Sequence, residues 1–292
     1  RSSNIRACED RRNENMPTFR YDGATIHYGD SGSGDPLLLL HSGGSSGAQW
    51  RKVGEHLTGR RLLTPDFYGY GGTDAWSEPR KLQHDDQAEL VAAILQDTSL
   101  ATEQVDIVGH SYGGAGAVRM AIRGLARIRG LVLIEPMLAM LLKEAGESTL
   151  FSEYEYLAHG FMDRVSEGQE AEAWRFFIDY RNGAGSWDVF PEKTQSRFQS
   201  QTDATYKAFE SNLANPTTLA DIEKLNLPVT VICGEQTTAP DRRVTELLRD
   251  TLPNGRYRTI PGAEHMSPLT HPATVANLIQ DHLSTDADGE TP

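Results

Sequence analysis

The densest chemistry in the chain lies at Gly109-His110-Ser111-Tyr112-Gly113-Gly114. A serine between glycines can act as a nucleophile when a tight turn holds it exposed and a base takes its proton. The apolar run Val105–Val108 before it reads as a buried strand, and Ala115–Ile122 after it reads as a helix. This G-x-S-x-G pattern, set between strand and helix, predicts a strained turn that tolerates only small neighbours. Gly109 and Gly113 meet that demand, and Gly114 lets the helix approach the sheet. Ser111 then projects at a helix N-terminus, which favours developing negative charge, and the Tyr112 backbone N–H points to the same spot. The alternative is a glycine–serine turn without chemistry, against which the flanking strand and helix argue.

The elements that must position this turn form an alternating pattern. Thr18–Tyr21 and Ala24–Tyr28 flank Asp22-Gly23, a hairpin signal. Pro36–Leu40, Arg61–Thr64, Leu131–Ile134, Val229–Cys233 and Tyr257–Ile260 read as further strands, and Leu82–Leu95, Arg242–Leu252 and Pro272–Leu283 as helices. Short apolar strands alternating with helices predict an α/β fold, a mostly parallel, doubly wound sheet covered on both faces. Residues 137–216 break the alternation, being rich in aromatics with no clear buried strand, and read as an inserted helical cap. Its rings either form the cap's own core or line a substrate pocket, and Trp174, Phe177 and Trp187 are the ones expected to reach substrate. The sheet domain is thus expected over residues 16–136 and 217–284. Residues 1–15 are polar and aperiodic, without the apolar core of a secretory signal, and are expected to be disordered. Met16 is a candidate biological start, and residues 285–292 are expected to form a flexible tail.

These motifs resemble the α/β-hydrolase superfamily over about residues 16–136 and 217–284. Besides the serine turn, His41-Ser42-Gly43-Gly44 follows a strand where the family usually has His-Gly-x-x. Asp66-Phe67-Tyr68-Gly69-Tyr70-Gly71-Gly72-Thr73-Asp74 looks like the family's D-x-x-G-x-G-x-S-D loop, and Gly262-Ala263-Glu264-His265 sits where the family carries its catalytic histidine. The resemblance implies a Ser–acid–His triad with Ser111 as nucleophile and His265 as base. Of the nine histidines, His41 and His110 are expected to orient loops and His271 to mark a helix entry. Surface exposure is the default for most of His27, His56, His84, His159 and His282.

The acid departs from the commonest family pattern. Most members carry it in a G-x-x-D loop after the strand matching Val229–Cys233, but here the loop reads Gly234-Glu235-Gln236-Thr237. A threonine cannot supply the charge that stabilises an imidazolium. Glu135, directly after Leu131–Ile134, occupies the position used by haloalkane dehalogenases and certain lactone hydrolases. A carboxylate that follows a buried apolar run is costly unless it has a partner, and a histidine would be one. Glu135 is therefore the favoured acid, with Asp241 and Glu235 as alternatives, or Glu135 serves as a structural hydrogen-bonding group. The loop after Leu40 should give the second oxyanion donor through Gly43, with Gly44 as fallback, and the Ser42 hydroxyl could add a third contact to substrate.

The balance of the 292 residues limits partners. Twenty-eight basic against 41 acidic residues give a formal charge of −13, which argues against nucleic acid and anionic membranes. Two cysteines cannot make a disulfide framework or a cysteine-rich zinc site. The expectation is a cytoplasmic enzyme acting on a small molecule without cofactor or metal, with a homo-oligomer left open. The favoured function is hydrolysis of a carboxylic ester or lactone of a medium-sized apolar or aromatic substrate. One alternative is hydrolysis of a carbon–carbon bond in ring-fission dienones, whose enzymes usually use the later aspartate. Another is a ligand-binding protein on the same fold. A serine nucleophile argues against dehalogenase and epoxide-hydrolase chemistry, which need a carboxylate.

Overall fold

The computed structural model describes residues 17–285. The expected disordered head, residues 1–15, and the tail from residue 286 lie outside them. An eight-stranded sheet runs in the order β1 (Thr18–Tyr21), β2 (Ala24–Gly32), β4 (Arg60–Pro65), β3 (Asp35–Leu40), β5 (Gln104–His110), β6 (Arg127–Ile134), β7 (Val229–Gly234) and β8 (Gly255–Ile260). β1 and β2 pair antiparallel across Asp22-Gly23, and β2 pairs antiparallel with β4. Every other pairing is parallel. The helices, in chain order, are α1 (Arg51–Gly54), α2 (His84–Asp97), α3 (Tyr112–Arg123), α4 (Met140–Glu144), α5 (Ser148–Ser166), α6 (Glu170–Asn182), α7 (Glu192–Gln199), α8 (Thr202–Leu213), α9 (Leu219–Glu223), α10 (Ala239–Thr251), α11 (Ser267–Thr270) and α12 (Pro272–Thr285).

Alternate residues of each buried strand feed opposite faces, as the two-residue side-chain period requires. Leu38, Leu40, Leu131 and Leu133 join one core with Val91 of α2, Val118 of α3 and Leu248 of α10. Leu37, Leu39, Val132 and Ile134 join another with Trp50 and with Val275 and Ile279 of α12. Both faces are thereby covered, which is why the central strands read as unbroken apolar runs. Between β6 and β7 the chain is helical, and α5, α6 and α8 enclose a third, aromatic core built on Phe161, Trp174 and Phe209. No helix among the described residues is long and apolar enough to cross a membrane. Two histidines contradict the surface default. His84 and His282 are buried, with His84 Nε2 bonded to Asn212 Oδ1 at 2.9 Å and His282 Nδ1 bonded to Thr230 Oγ1 at 2.9 Å.

Candidate active site

Ser111 alone makes the turn between β5 and α3. Its φ is 52°, a region costly for a residue bearing a Cβ. The turn is also crowded: a Cβ on Gly109 would lie 2.6 Å from the Gly113 carbonyl oxygen, and one on Gly113 2.4 Å from that of Leu40. Backbone bonds tie it to the segment after β6, with the Ser111 N–H donating to Ile134 O at 3.0 Å and the Met137 N–H to Ser111 O at 2.9 Å. That segment carries Glu135, which has a positive φ of 42°. The two strained residues thus sit side by side at the strand ends.

His265 bridges them. Its Nδ1 lies 2.7 Å from Glu135 Oε2, and its Nε2 lies 3.0 Å from Ser111 Oγ. An ionised carboxylate only accepts, so Nδ1 carries the proton and Nε2 is left to accept from the serine hydroxyl. Burial alone would raise the Glu135 carboxyl. Its bonds to His265, to the Thr237 hydroxyl at 2.6 Å and to the Gly234 N–H at 2.6 Å outweigh that and hold it well below the usual carboxylate range. Thr237, at the position where the resemblance places an aspartate, therefore donates to the Glu135 carboxylate. Burial, followed by the charge of Arg181, pushes the His265 imidazole below its ordinary 6.5, while Glu135 opposes the shift.

The other candidate acids have different partners. Glu235 Oε2 accepts from the Gly262 N–H at 2.8 Å and steadies the turn before His265. Asp241 Oδ2 accepts from Arg181 Nη1 and from Thr238 Oγ1, and lies 3.6 Å from His265 Nδ1. Glu135, Asp241 and His265 gather within 4.8 Å of one another, and the Arg181 guanidinium supplies positive charge to that cluster.

Gly43 and Tyr112 both face the cavity at Ser111. Tyr112 is the first residue of α3, so its N–H belongs to the first-turn amides that lack an intrahelical acceptor. Ser42 also reaches the cavity, but not as a free hydroxyl donor. Its Oγ–H donates to Gln49 Oε1 at 2.7 Å, and its N–H meets the same oxygen at 3.2 Å. Gln49 Nε2 in turn donates to His110 Nδ1 at 3.1 Å, and His110 Nε2 donates to the His265 carbonyl at 2.9 Å. Burial, then the neighbouring His265, pushes His110 down to about 3, so it stays neutral and can fill both roles. Neither Gln49 nor this chain of bonds was legible in the sequence, because its members are far apart along the chain.

The cavity has a volume of about 380 Å³ and is walled largely by Met137, Phe177, Ile178, Phe190, Phe198 and Phe209. Phe177, one of the three rings expected to reach substrate, lines this cavity. Trp174 and Trp187 are not among the wall residues; both are buried in the cap's aromatic core. Trp174 donates its indole N–H to Thr202 Oγ1 at 2.9 Å and packs so close to the loop after β3 that a Cβ on Gly44 would sit 3.0 Å from its ring. Arg181 also lines the cavity. Its partner Asp241 lies 60 positions away in the sequence, so no local pattern marks it.

A model of the alpha/beta hydrolase fold matches residues 35–272. The chain belongs to that family. It is 28% identical over 273 residues to a 2-hydroxymuconate semialdehyde hydrolase from Pseudomonas sp. (strain CF600), covering 90% of this chain and 91% of that protein. It is also 35% identical over 118 residues to a 2-hydroxy-6-oxo-2,4-heptadienoate hydrolase from Pseudomonas putida, covering 38% of this chain and 41% of that one. Among solved structures, an α/β hydrolase enzyme from a Medee basin deep-sea metagenome library superposes with a TM-score of 0.79 at 19% identity, over 92% of this chain and 97% of that one. A thermophilic esterase from Thermogutta terrifontis gives 0.71 at 21% identity, over 93% and 97%. At such identities the structural likeness establishes the fold alone.

Proposed function

We propose that the protein is a serine hydrolase of carboxylic esters or lactones with a medium-sized, mostly apolar acyl part. The observation that carries this reading is the continuous chain Ser111–His265–Glu135 opening on an apolar cavity. Ser111 Oγ attacks the acyl carbon as His265 Nε2 takes its proton, and Glu135 stabilises the imidazolium that forms. The Gly43 and Tyr112 amides receive the oxyanion. His265 then protonates the departing alkoxide, leaving an acyl–Ser111 ester. Water, deprotonated by His265, hydrolyses that ester and restores Ser111. The buried cation of the cavity, Arg181, is already bonded to Asp241, which suits an uncharged acyl group.

A second reading rests on the relative that is 28% identical over 90% of this chain, a 2-hydroxymuconate semialdehyde hydrolase. Here the bond broken is carbon–carbon, and the leaving carbanion takes the proton. A fluorophosphonate should label the protein at Ser111 and leave Ser111→Ala unlabelled. Equal labelling of both, or of neither, would remove the hydrolase reading and favour a binding role. Turnover of p-nitrophenyl esters and lactones with no turnover of ring-fission dienones supports the first reading, and the reverse supports the second.

A further inference from the structure

Two carboxylates lie near the one N–H of His265. Glu135 Oε2 is 2.7 Å from Nδ1, and Asp241 Oδ2 is 3.6 Å from it. Asp241 belongs to the first turn of α10, and its side chain is 5% exposed. The residue that engages it, Arg181, comes from the last turn of cap helix α6 and is 4% exposed. Two donors, Arg181 Nη1 and the Thr238 hydroxyl at 2.7 Å, converge on the same Asp241 oxygen that faces Nδ1.

We propose that Arg181 is a positioning residue, which reaches from the cap to hold and neutralise Asp241 so that the Nδ1 proton stays with Glu135. This rests on the reading of Ser111, His265 and Glu135 as a proton-relaying unit. His265 meets charged or titratable groups from four elements: Glu135 after β6, Asp241 in α10, Arg181 in α6, and His110 at the end of β5, with ring centroids 5.0 Å apart. His110 is neutral, so Arg181 leaves one net negative charge beside the imidazole. Without Arg181 there would be two, and the second would face Nδ1 directly. The arginine thus keeps the imidazole acidic enough to return its proton to a leaving group, in line with the downward push that Arg181 exerts on His265.

The test is an NMR titration of the His265 imidazole, assigned against His265→Gln, in the wild type and four variants. Arg181→Met should raise the midpoint by about one pH unit or more, the size expected when a close charge of this kind is removed. Arg181→Lys should stay near the wild type. Asp241→Asn leaves the guanidinium uncompensated and should lower the midpoint. Arg181→Met with Asp241→Asn removes both charges and should return close to the wild type. A residue that only props up the fold would not give shifts of opposite sign that cancel in the double variant. The proposal is overturned if Arg181→Met and Asp241→Asn shift the midpoint in the same direction, or if neither shifts it. Should Arg181→Met not fold because a buried charge is left unpaired, the double variant must still titrate above Asp241→Asn, and equal midpoints overturn the proposal. The titration reads the imidazole whether or not any ester is cleaved, so a lack of turnover counts against the hydrolase reading alone.

Discussion

Glu135 holds its charge although buried because three donors converge on it: the His265 ring, the Thr237 hydroxyl and the Gly234 amide. Glu135→Gln removes the charge that stabilises the imidazolium and should lower kcat by about 10⁴, the loss typical of a triad acid. Asp241→Asn, assayed at pH 8 where His265 is neutral, should cost less than about tenfold; the reverse order would transfer the role of acid to Asp241. Thr237→Val should destabilise the fold by about 1.5–3 kcal/mol, the range for hydrogen bonds to charged groups, as read from urea denaturation at pH 7. The base must be neutral to accept the serine proton. Because burial and Arg181 hold His265 below 6.5, kcat/KM should fall on acidification with a midpoint below that value. A midpoint above it would mean that the Glu135 bond outweighs both effects.

Three loops meet around Ser111 at the ends of the parallel strands, and close backbone contact fixes their spacing. The serine turn rests against the carbonyls of Leu40 and His41, so Ser111 and the loop after β3 cannot shift independently. The Asp66 loop reinforces this: its carboxylate accepts from the Gly47 N–H at 2.7 Å and the Gly72 N–H at 2.9 Å, tying β4 to the segment after β3. Gly113→Ala should therefore cost about 1–3 kcal/mol or more through overpacking, with activity falling alongside the thermal midpoint. Trp174 is an element-scale residue as well. It seals the aromatic core of the inserted helices against the loop after β3, so Trp174→Ala should destabilise by about 3–5 kcal/mol. A variant that kept wild-type stability but lost KM would return Trp174 to the substrate wall.

Across the molecule, buried neutral histidines join elements far apart in the sequence. His84, in α2, bonds to Asn212 of cap helix α8, and burial pushes it down to about 4 although Asn212 opposes the shift. His110, pushed down to about 3, ties the Gln49 side chain to the loop of His265. Once unfolded, both take protons near 6.5. The unfolded chain therefore binds more protons between 6.5 and about 4, and stability falls as pH drops through that window. Each group contributes a slope of up to about 1.4 kcal/mol per pH unit. Urea midpoints measured at intervals across that range should decline, and His84→Gln should decline less steeply. An unchanged slope would show that other groups set the acid limit.

The alternation of apolar runs and helices was enough to place the sheet, the helical stretch between β6 and β7 and the serine turn, because burial on both faces of a parallel sheet leaves a local signature in Leu37–Leu40 or Leu131–Ile134. Ser111 follows directly on β5, whereas His265 lies in the loop after β8, where the family resemblance pointed to it. Glu135 could be read only as the favoured acid, since a carboxylate after a buried strand demands a partner without naming it. What tertiary structure alone decided are the pairings across long separations: Thr237 with Glu135, Gln49 with His110, Arg181 with Asp241. It also sorted the cap aromatics, turning Phe177 to the cavity and Trp174 and Trp187 into the cap core. Helical periodicity marks a residue as apolar-facing, but which of two apolar environments it meets depends on how the cap packs over the sheet.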